Sequence, residues 1–177
     1  MYEDVLKFWF ETHSKAWWNK DEVFDREIAA AFGDVHRRAR AGELYAWRDN
    51  PRGRVAEILV LDQFSRNLFR GRPEAFESDA VALVLAQEAV AIGADSGLVA
   101  NERAFLYMPF MHSESRLIHE WAVTLFSAPG LETTLGFELK HKAIIDRFGR
   151  YPHRNAILGR ESTPDELAFL AQPGSSF

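Results

Sequence analysis

Three stretches of the 177-residue chain mix arginine, histidine, asparagine and carboxylates with aromatic side chains. They are Leu61-Asp62-Gln63-Phe64-Ser65-Arg66-Asn67-Leu68-Phe69-Arg70-Gly71, Glu102-Arg103-Ala104-Phe105-Leu106-Tyr107-Met108-Pro109-Phe110-Met111-His112-Ser113-Glu114, and Phe148-Gly149-Arg150-Tyr151-Pro152-His153-Arg154-Asn155. A guanidinium grips a carboxylate or phosphate through paired N–H donors. Arg66, Arg70, Arg103, Arg150 and Arg154 are therefore candidates for holding an anion, with Asp62, Asn67, His112, His153 and Asn155 as further ligand-binding groups. An imidazole beside a carboxylate moves protons near neutral pH. That makes His112, Glu114 and His153 the candidate catalytic residues.

Each feature also has a plainer reading. Asp62 and Arg66 stand four apart, acid first, the favourable order for a helical ion pair, so they serve equally well to lock helices together. Buried, such a pair needs further hydrogen bonds to offset its desolvation, and Gln63, Asn67 and Arg70 are at hand. His112-Ser113-Glu114 falls where a loop meets a helix start, a place that favours anions; a histidine there also packs and bonds a carbonyl. Arg147 and Arg150 near a helix C-terminus suit the helix dipole, which leaves His153, Arg154 and Asn155 to be explained. Glu138-Leu139-Lys140-His141 has the Glu-x-x-His spacing of di-metal bundles, but no second copy exists. His119-Glu120 begins like a zinc-protease motif, and Val123 stands where its second histidine belongs. No metal and no cofactor are expected. No phosphate-binding glycine loop or serine-nucleophile elbow is present.

The elements that must carry these groups are helices. Apolar residues recur at helical spacing and no strand alternation is found. Helices are expected over residues 2–11, 21–40, from Pro51 onward, from Pro73 to Ile92, from Glu102 to Tyr107, after Ser113, after Thr133 or Thr134, and after Thr163, with the Trp17-Trp18 pair bridging the first two. Asn50-Pro51 and Thr163-Pro164-Asp165-Glu166 are start signals; Gly42, Gly93 and Gly149 are stop signals. About eight helices with short connections make an all-α fold of antiparallel helix pairs stacked on one another. One domain over residues 1–171, with residues 172–177 as a loose tail, fits the length.

Composition narrows the function. The apolar fraction is 47% and the net charge −5, which suits a globular chain and argues against nucleic acid as a partner. Residues 140–160 nonetheless hold Lys140, Lys142, Arg147, Arg150, Arg154 and Arg160 against one acid, Asp146, a local surplus suited to an anion. Cysteine is absent, so thiolate chemistry and disulfides are excluded. No membrane-length apolar run and no signal-like start are seen, and the expected location is cytoplasmic.

The three stretches, together with Phe8-Trp9-Phe10 and Leu158-Gly159-Arg160-x-Ser162-Thr163, resemble one family across almost the whole chain: the domain-of-unknown-function family nine-two-four. The resemblance implies an all-helical fold similar to tetratricopeptide-repeat proteins, and no activity, cofactor or catalytic residue. Ser65 stands where such proteins usually carry proline, and His119 where they usually carry glutamine. The leading expectation is a binding protein with an Arg/His-lined groove for an anionic small molecule or the acidic end of a peptide. The alternatives are a metal-independent hydrolase or lyase using a His–carboxylate pair, and an interaction protein whose polar motifs are buried helix-locking networks. Oligomeric state is not encoded in any of these features.

Overall fold

The computed structural model describes residues 1–17 and 20–175. It contains α1 (Tyr2–Leu6), α2 (Glu22–Arg40), α3 (Pro51–Leu59), α4 (Ser65–Leu68), α5 (Asp79–Ala91), α6 (Ala100–Met111), α7 (Arg116–Phe126), α8 (Glu132–Phe148) and α9 (Pro164–Leu170). A widened π-helical segment, Val60–Phe64, joins α3 to α4, so the three run on as one rod and the helices number eight among the described residues. No strand occurs among those residues.

Three helix starts follow the capping chemistry. Asp21 accepts from the Val23 and Phe24 N–H groups at 2.8 and 3.3 Å and opens α2. Asn50 accepts from Arg52 N at 2.9 Å and Pro51 takes the first position of α3. Thr163 and Glu166 cap α9 reciprocally. Gly149 ends α8 in the left-handed region, φ 70°, as a C′ glycine does.

The first helix runs as expected, its second half a π segment, Lys7–Thr12. Four boundaries differ from expectation. The helix expected after Thr133 or Thr134 starts earlier, at Glu132, with Leu131 before it and no side-chain cap. Pro73 begins only a single 3₁₀ turn, Pro73–Ala75, and α5 proper starts at Asp79. The helix expected to stop before Pro109 continues to Met111, because residues 104–111 are all buried and their packing outweighs the bond that proline removes. The helix after it is capped from Ser115 without a side-chain bond; Ser113 Oγ instead accepts from Ser115 N at 3.2 Å. Trp18 of the Trp17-Trp18 bridge lies outside the described residues, while Trp17 Nε1 donates to Trp9 O at 2.8 Å.

Successive helices pack as neighbours, α5 on α6, α6 on α7 and α7 on α8, with α3 central against α1, α5 and α6. This is the all-α stack of antiparallel pairs, consistent with a tetratricopeptide-repeat-like array. Its core centres on Trp9, whose ring lies 5.9 Å from Phe24, 5.7 Å from Phe64 and 5.5 Å from Phe105. Burying each such ring contributes on the order of 2–3 kcal/mol. These contacts clamp the π segment, through Phe64, between α2 and α6. No helix among the described residues is long and apolar enough to cross a membrane.

Candidate functional site

Four elements bring the polar side chains together. The π segment carries Asp62, which is 1% exposed; π turns often occur where a helix places a functional group. The C-terminal end of α6 carries His112, the first residue of α5 is Asp79, and a 3₁₀ turn, Pro152–Arg154, carries Arg154. Tyr151 before that turn is extended and fully buried, so the proline turn leaves a fixed base.

Asp62 Oδ1 lies 2.7 Å from His112 Nδ1 and 3.1 Å from Arg66 Nη1. Gln63 Nε2 donates to Asp62 Oδ2 at 2.6 Å. Arg66 also donates to the Asp62 carbonyl at 2.7 Å and to both oxygens of Asp79 at 3.0 and 3.1 Å. Arg154 Nη1 reaches Asp79 Oδ2 at 3.3 Å and Nη2 donates to His112 O at 3.0 Å. Its guanidinium sits between the rings of Phe76 and Tyr151, 4.7 and 4.6 Å from their centroids, within cation–π range.

Electrostatics fix the protonation states. Burial pushes the Asp62 carboxyl up, but Arg66 and His112 outweigh it and hold it below the usual range. Ionised, Asp62 only accepts, so His112 Nδ1 carries the hydrogen. Burial and Arg66 hold the imidazole below its ordinary value against the pull of Asp62. The neutral ring therefore presents Nε2 as a bare lone pair, and Nε2 makes no hydrogen bond among the described residues. Burial, then Arg66, lowers the Arg154 guanidinium. Its Nε has no hydrogen-bond partner among the described residues.

His112 and Arg154 open on one cleft of about 430 Å³, walled by Phe76, Asp79, Pro109 and Glu114. The cleft joins an apolar wall to an acid–base dyad and a buried cation. It can hold a small molecule, orient an anionic group and exchange a proton at Nε2. A larger open hollow of about 580 Å³ lies along α2 near His36 and Phe69. Its arginines are already paired, Arg37 with Asp34 and Arg40 with Glu77, and none of the three motifs' charged groups lines it. No group of three or more His, Asp or Glu placed to hold a metal ion occurs among the described residues.

Residues 5–174 match the family described as bacterial protein of unknown function, DUF924. The chain belongs to the DUF924 family. A solved structure, that of the protein of unknown function ATU0120 from Agrobacterium tumefaciens, is 36% identical to it, with a TM-score of 0.92 over 96% of each chain. No curated protein matches it.

In this DUF924 chain the structure gathers Asp62, Arg66, His112 and Arg154, keeps Glu114 on the cleft wall, and gives the other expected site residues other partners. Arg70 and Asn67 bind Asp25 of α2, Arg70 through two bonds of 2.7 Å and Asn67 through one of 2.7 Å. Arg103 Nη2 donates to Pro129 O at 2.8 Å. Arg150 holds Glu166 at 2.7 and 2.8 Å, and Asn155 is buried against Glu166 and Ser162. Glu114 lines the cleft, but its carboxylate is taken by Arg160 at 2.6 and 3.0 Å and by Tyr151 N at 2.7 Å. His153 packs tilted against Tyr151, 5.5 Å between centroids, and burial followed by Arg154 lowers it to about 4. Asp79 lies outside the three polar stretches; an acid in the first turn of a helix was the available signal.

Proposed function

We propose that this protein binds a small anionic molecule, or the acidic end of a peptide, in the cleft between the start of α5 and the end of α6. The observation that carries the reading is Arg154. It is 6% exposed, shares the Asp79 carboxylate with Arg66, and has an Nε without a hydrogen bond among the described residues. Burial lowers its guanidinium, so the cation is short of compensating charge. A carboxylate or phosphate in the cleft supplies that charge, His112 Nε2 supplies a hydrogen-bonding partner, and Phe76 and Pro109 cover the apolar part. A cytoplasmic location belongs to the same proposal, and the cysteine-free composition fits a reducing compartment.

The test is a thermal-shift screen of carboxylated and phosphorylated metabolites on the wild type and Arg154→Gln. A ligand at about 100 times its Kd stabilises by about 2.7 kcal/mol, roughly 5–10 °C for a chain of this size. The expected result is such a rise in the wild type, absent in the variant. If no compound moves the wild-type Tm, or Arg154→Gln responds equally, the reading fails.

The Asp62–His112 pair favours a second reading, a metal-independent hydrolase or lyase. A buried carboxylate 2.7 Å from Nδ1, with Nε2 left for the cleft, is the arrangement of a general base. Slow conversion of a screened ligand by the wild type, lost in His112→Gln while the thermal shift persists, would establish it. Unchanged ligand after prolonged incubation leaves a binding protein.

A further inference from the structure

The backbone that carries His112 is gripped at three successive carbonyls. Tyr151 Oη donates to Met111 O at 2.5 Å, Arg154 Nη2 to His112 O at 3.0 Å, and His119 Nε2 to Ser113 O at 2.9 Å. The last carbonyls of a helix have no partner within it. At the end of α6 they meet donors from α7 and from the segment after α8, not solvent. Behind His119 stands Glu138 of α8, its Oε1 2.7 Å from Nδ1, and both side chains are 0% exposed.

The protons in this trio can be counted. Ser113 O only accepts, so His119 Nε2 carries a hydrogen. One more proton lies between Nδ1 and Glu138 Oε1. Whichever atom holds it, the pair is net neutral, so no uncompensated charge is buried. Glu138 Oε2 has no hydrogen bond among the described residues, which disfavours a charged carboxylate there. Burial also raises the Glu138 carboxyl. Both place the proton on Glu138, donated to Nδ1. Tyr151 Oη spends its hydrogen on Met111 O and lies 3.3 Å from His119 Nε2, a weaker second contact for the same N–H.

We infer that His119, Glu138 and Tyr151 are positioning residues for His112: a buried, neutral, hydrogen-bonded trio that fixes the carbonyls of Met111 and Ser113, on either side of His112, and so aims the imidazole from Asp62 into the cleft. The inference rests on the proposed reading of His112 as the cleft's hydrogen-bonding or proton-exchanging group. The aiming itself is measured on the ligand-free protein. The plainer account is that the trio merely ties α7, α8 and the following segment together. That account predicts lost stability on mutation and no change at His112.

The test is long-range ¹⁵N–¹H NMR of the His112 ring in wild type, His119→Gln, His119→Ala and Tyr151→Phe, followed against pH. In the wild type the Nδ1–H form is expected. Glutamine at 119 still donates to Ser113 O and is expected to leave the His112 ring signals and titration as in the wild type. His119→Ala frees that carbonyl. The His112 ring is then expected to mix tautomers and to bind its proton about threefold or more tightly, as it relaxes toward water. Tyr151→Phe, which deletes the Met111 bond and the weaker contact with His119 but leaves the Ser113 bond in place, is expected to move it in the same direction by less. If His119→Ala folds and its His112 titrates as in the wild type, the inference is overturned; if that variant does not fold, an unmoved His112 in Tyr151→Phe overturns it. A thermal-shift screen in which no ligand binds would sink the binding proposal and leave this result standing.

Discussion

Two ion-paired residues of the first polar stretch, Asp62 and Arg70, should respond very differently to mutation. Asp62 is 1% exposed and faces Arg66 and His112, whereas Arg70 meets Asp25 at a surface where its side chain is 37% exposed. Asp62→Ala removes the buried carboxylate shared by Arg66 and His112, leaves Arg66 to compete with Arg154 for Asp79, and is expected to cost about 3 kcal/mol. Arg70→Ala is expected to cost less than about 1 kcal/mol. Urea denaturation of both variants checks this; equal losses would mean that Asp62 is not the centre of a desolvated network. At this scale the residue types were legible and the partners were not. Asp62 and Arg66 could be paired on paper because four residues separate them. Arg154 could not be paired with Asp79, 75 residues away, since nothing local in either sequence marks the contact. The same holds for Glu114 with Arg160 and His119 with Glu138. The arginines read as anion receptors are in several cases already satisfied by carboxylates from distant elements, and only Arg154 combines deep burial, a shared counter-ion and a place in the cleft wall.

Among the elements, those with a local cause were readable. Asn50-Pro51, Thr163 to Glu166 and Gly149 act through their own backbone neighbours, so their effects survive any tertiary arrangement. Pro109 does not: its burial, set by packing from α3, α5 and α7, carries α6 past a residue that alone would stop it. The π segment Val60–Phe64 was equally hidden, because the extra residue per turn is paid back by where it sends Phe64 and Asp62, inward to Trp9 and across to His112. Gly149 offers a clean test of how a single cap positions the site. At φ 70° a side chain is strained, yet a Cβ there would meet nothing nearer than Arg116 Nη2 at 4.0 Å. Gly149→Ala is therefore expected to cost about 1 kcal/mol through backbone strain alone. It should also weaken protection of the Tyr151 N–H, which Glu114 accepts at 2.7 Å, in hydrogen exchange. A variant as stable as the wild type would show that the turn is not held in the left-handed region.

For the whole molecule, the basic surplus of residues 140–160 is largely consumed by pairing: Lys142 with Glu120 and Asp146, Arg150 with Glu166, Arg154 with Asp79, Arg160 with Glu114. What the fold buries in neutral form instead is imidazole. Burial, aided by Arg40, lowers His36 to about 4; burial lowers His141 to about 3; burial and then Arg154 lower His153 to about 4. In the unfolded chain these rings titrate near 6.5. Between those values the unfolded state binds more protons, so stability must fall as pH falls from about 6.5 toward 4. His112 is shifted the same way. Asp62 and Glu114 are held low, so their contribution is intact above their unfolded values and is lost only below that window. Glu138, held high, runs opposite and offsets part of the loss. Each strongly shifted histidine is expected to remove roughly 2 kcal/mol or slightly more by pH 4.5, against a total stability of about 5–15 kcal/mol for a domain. Acid unfolding should therefore begin in the histidine range, before the paired carboxylates titrate. Urea midpoints at pH 7, 5.5 and 4.5 are expected to drop steadily, and less steeply in His141→Gln, which removes one buried titrating ring. A midpoint that stays flat to pH 4.5 would mean that the rings titrate as in water, and the dry interior that also sets the charge state of the His112 and Arg154 cleft would have to be abandoned with it.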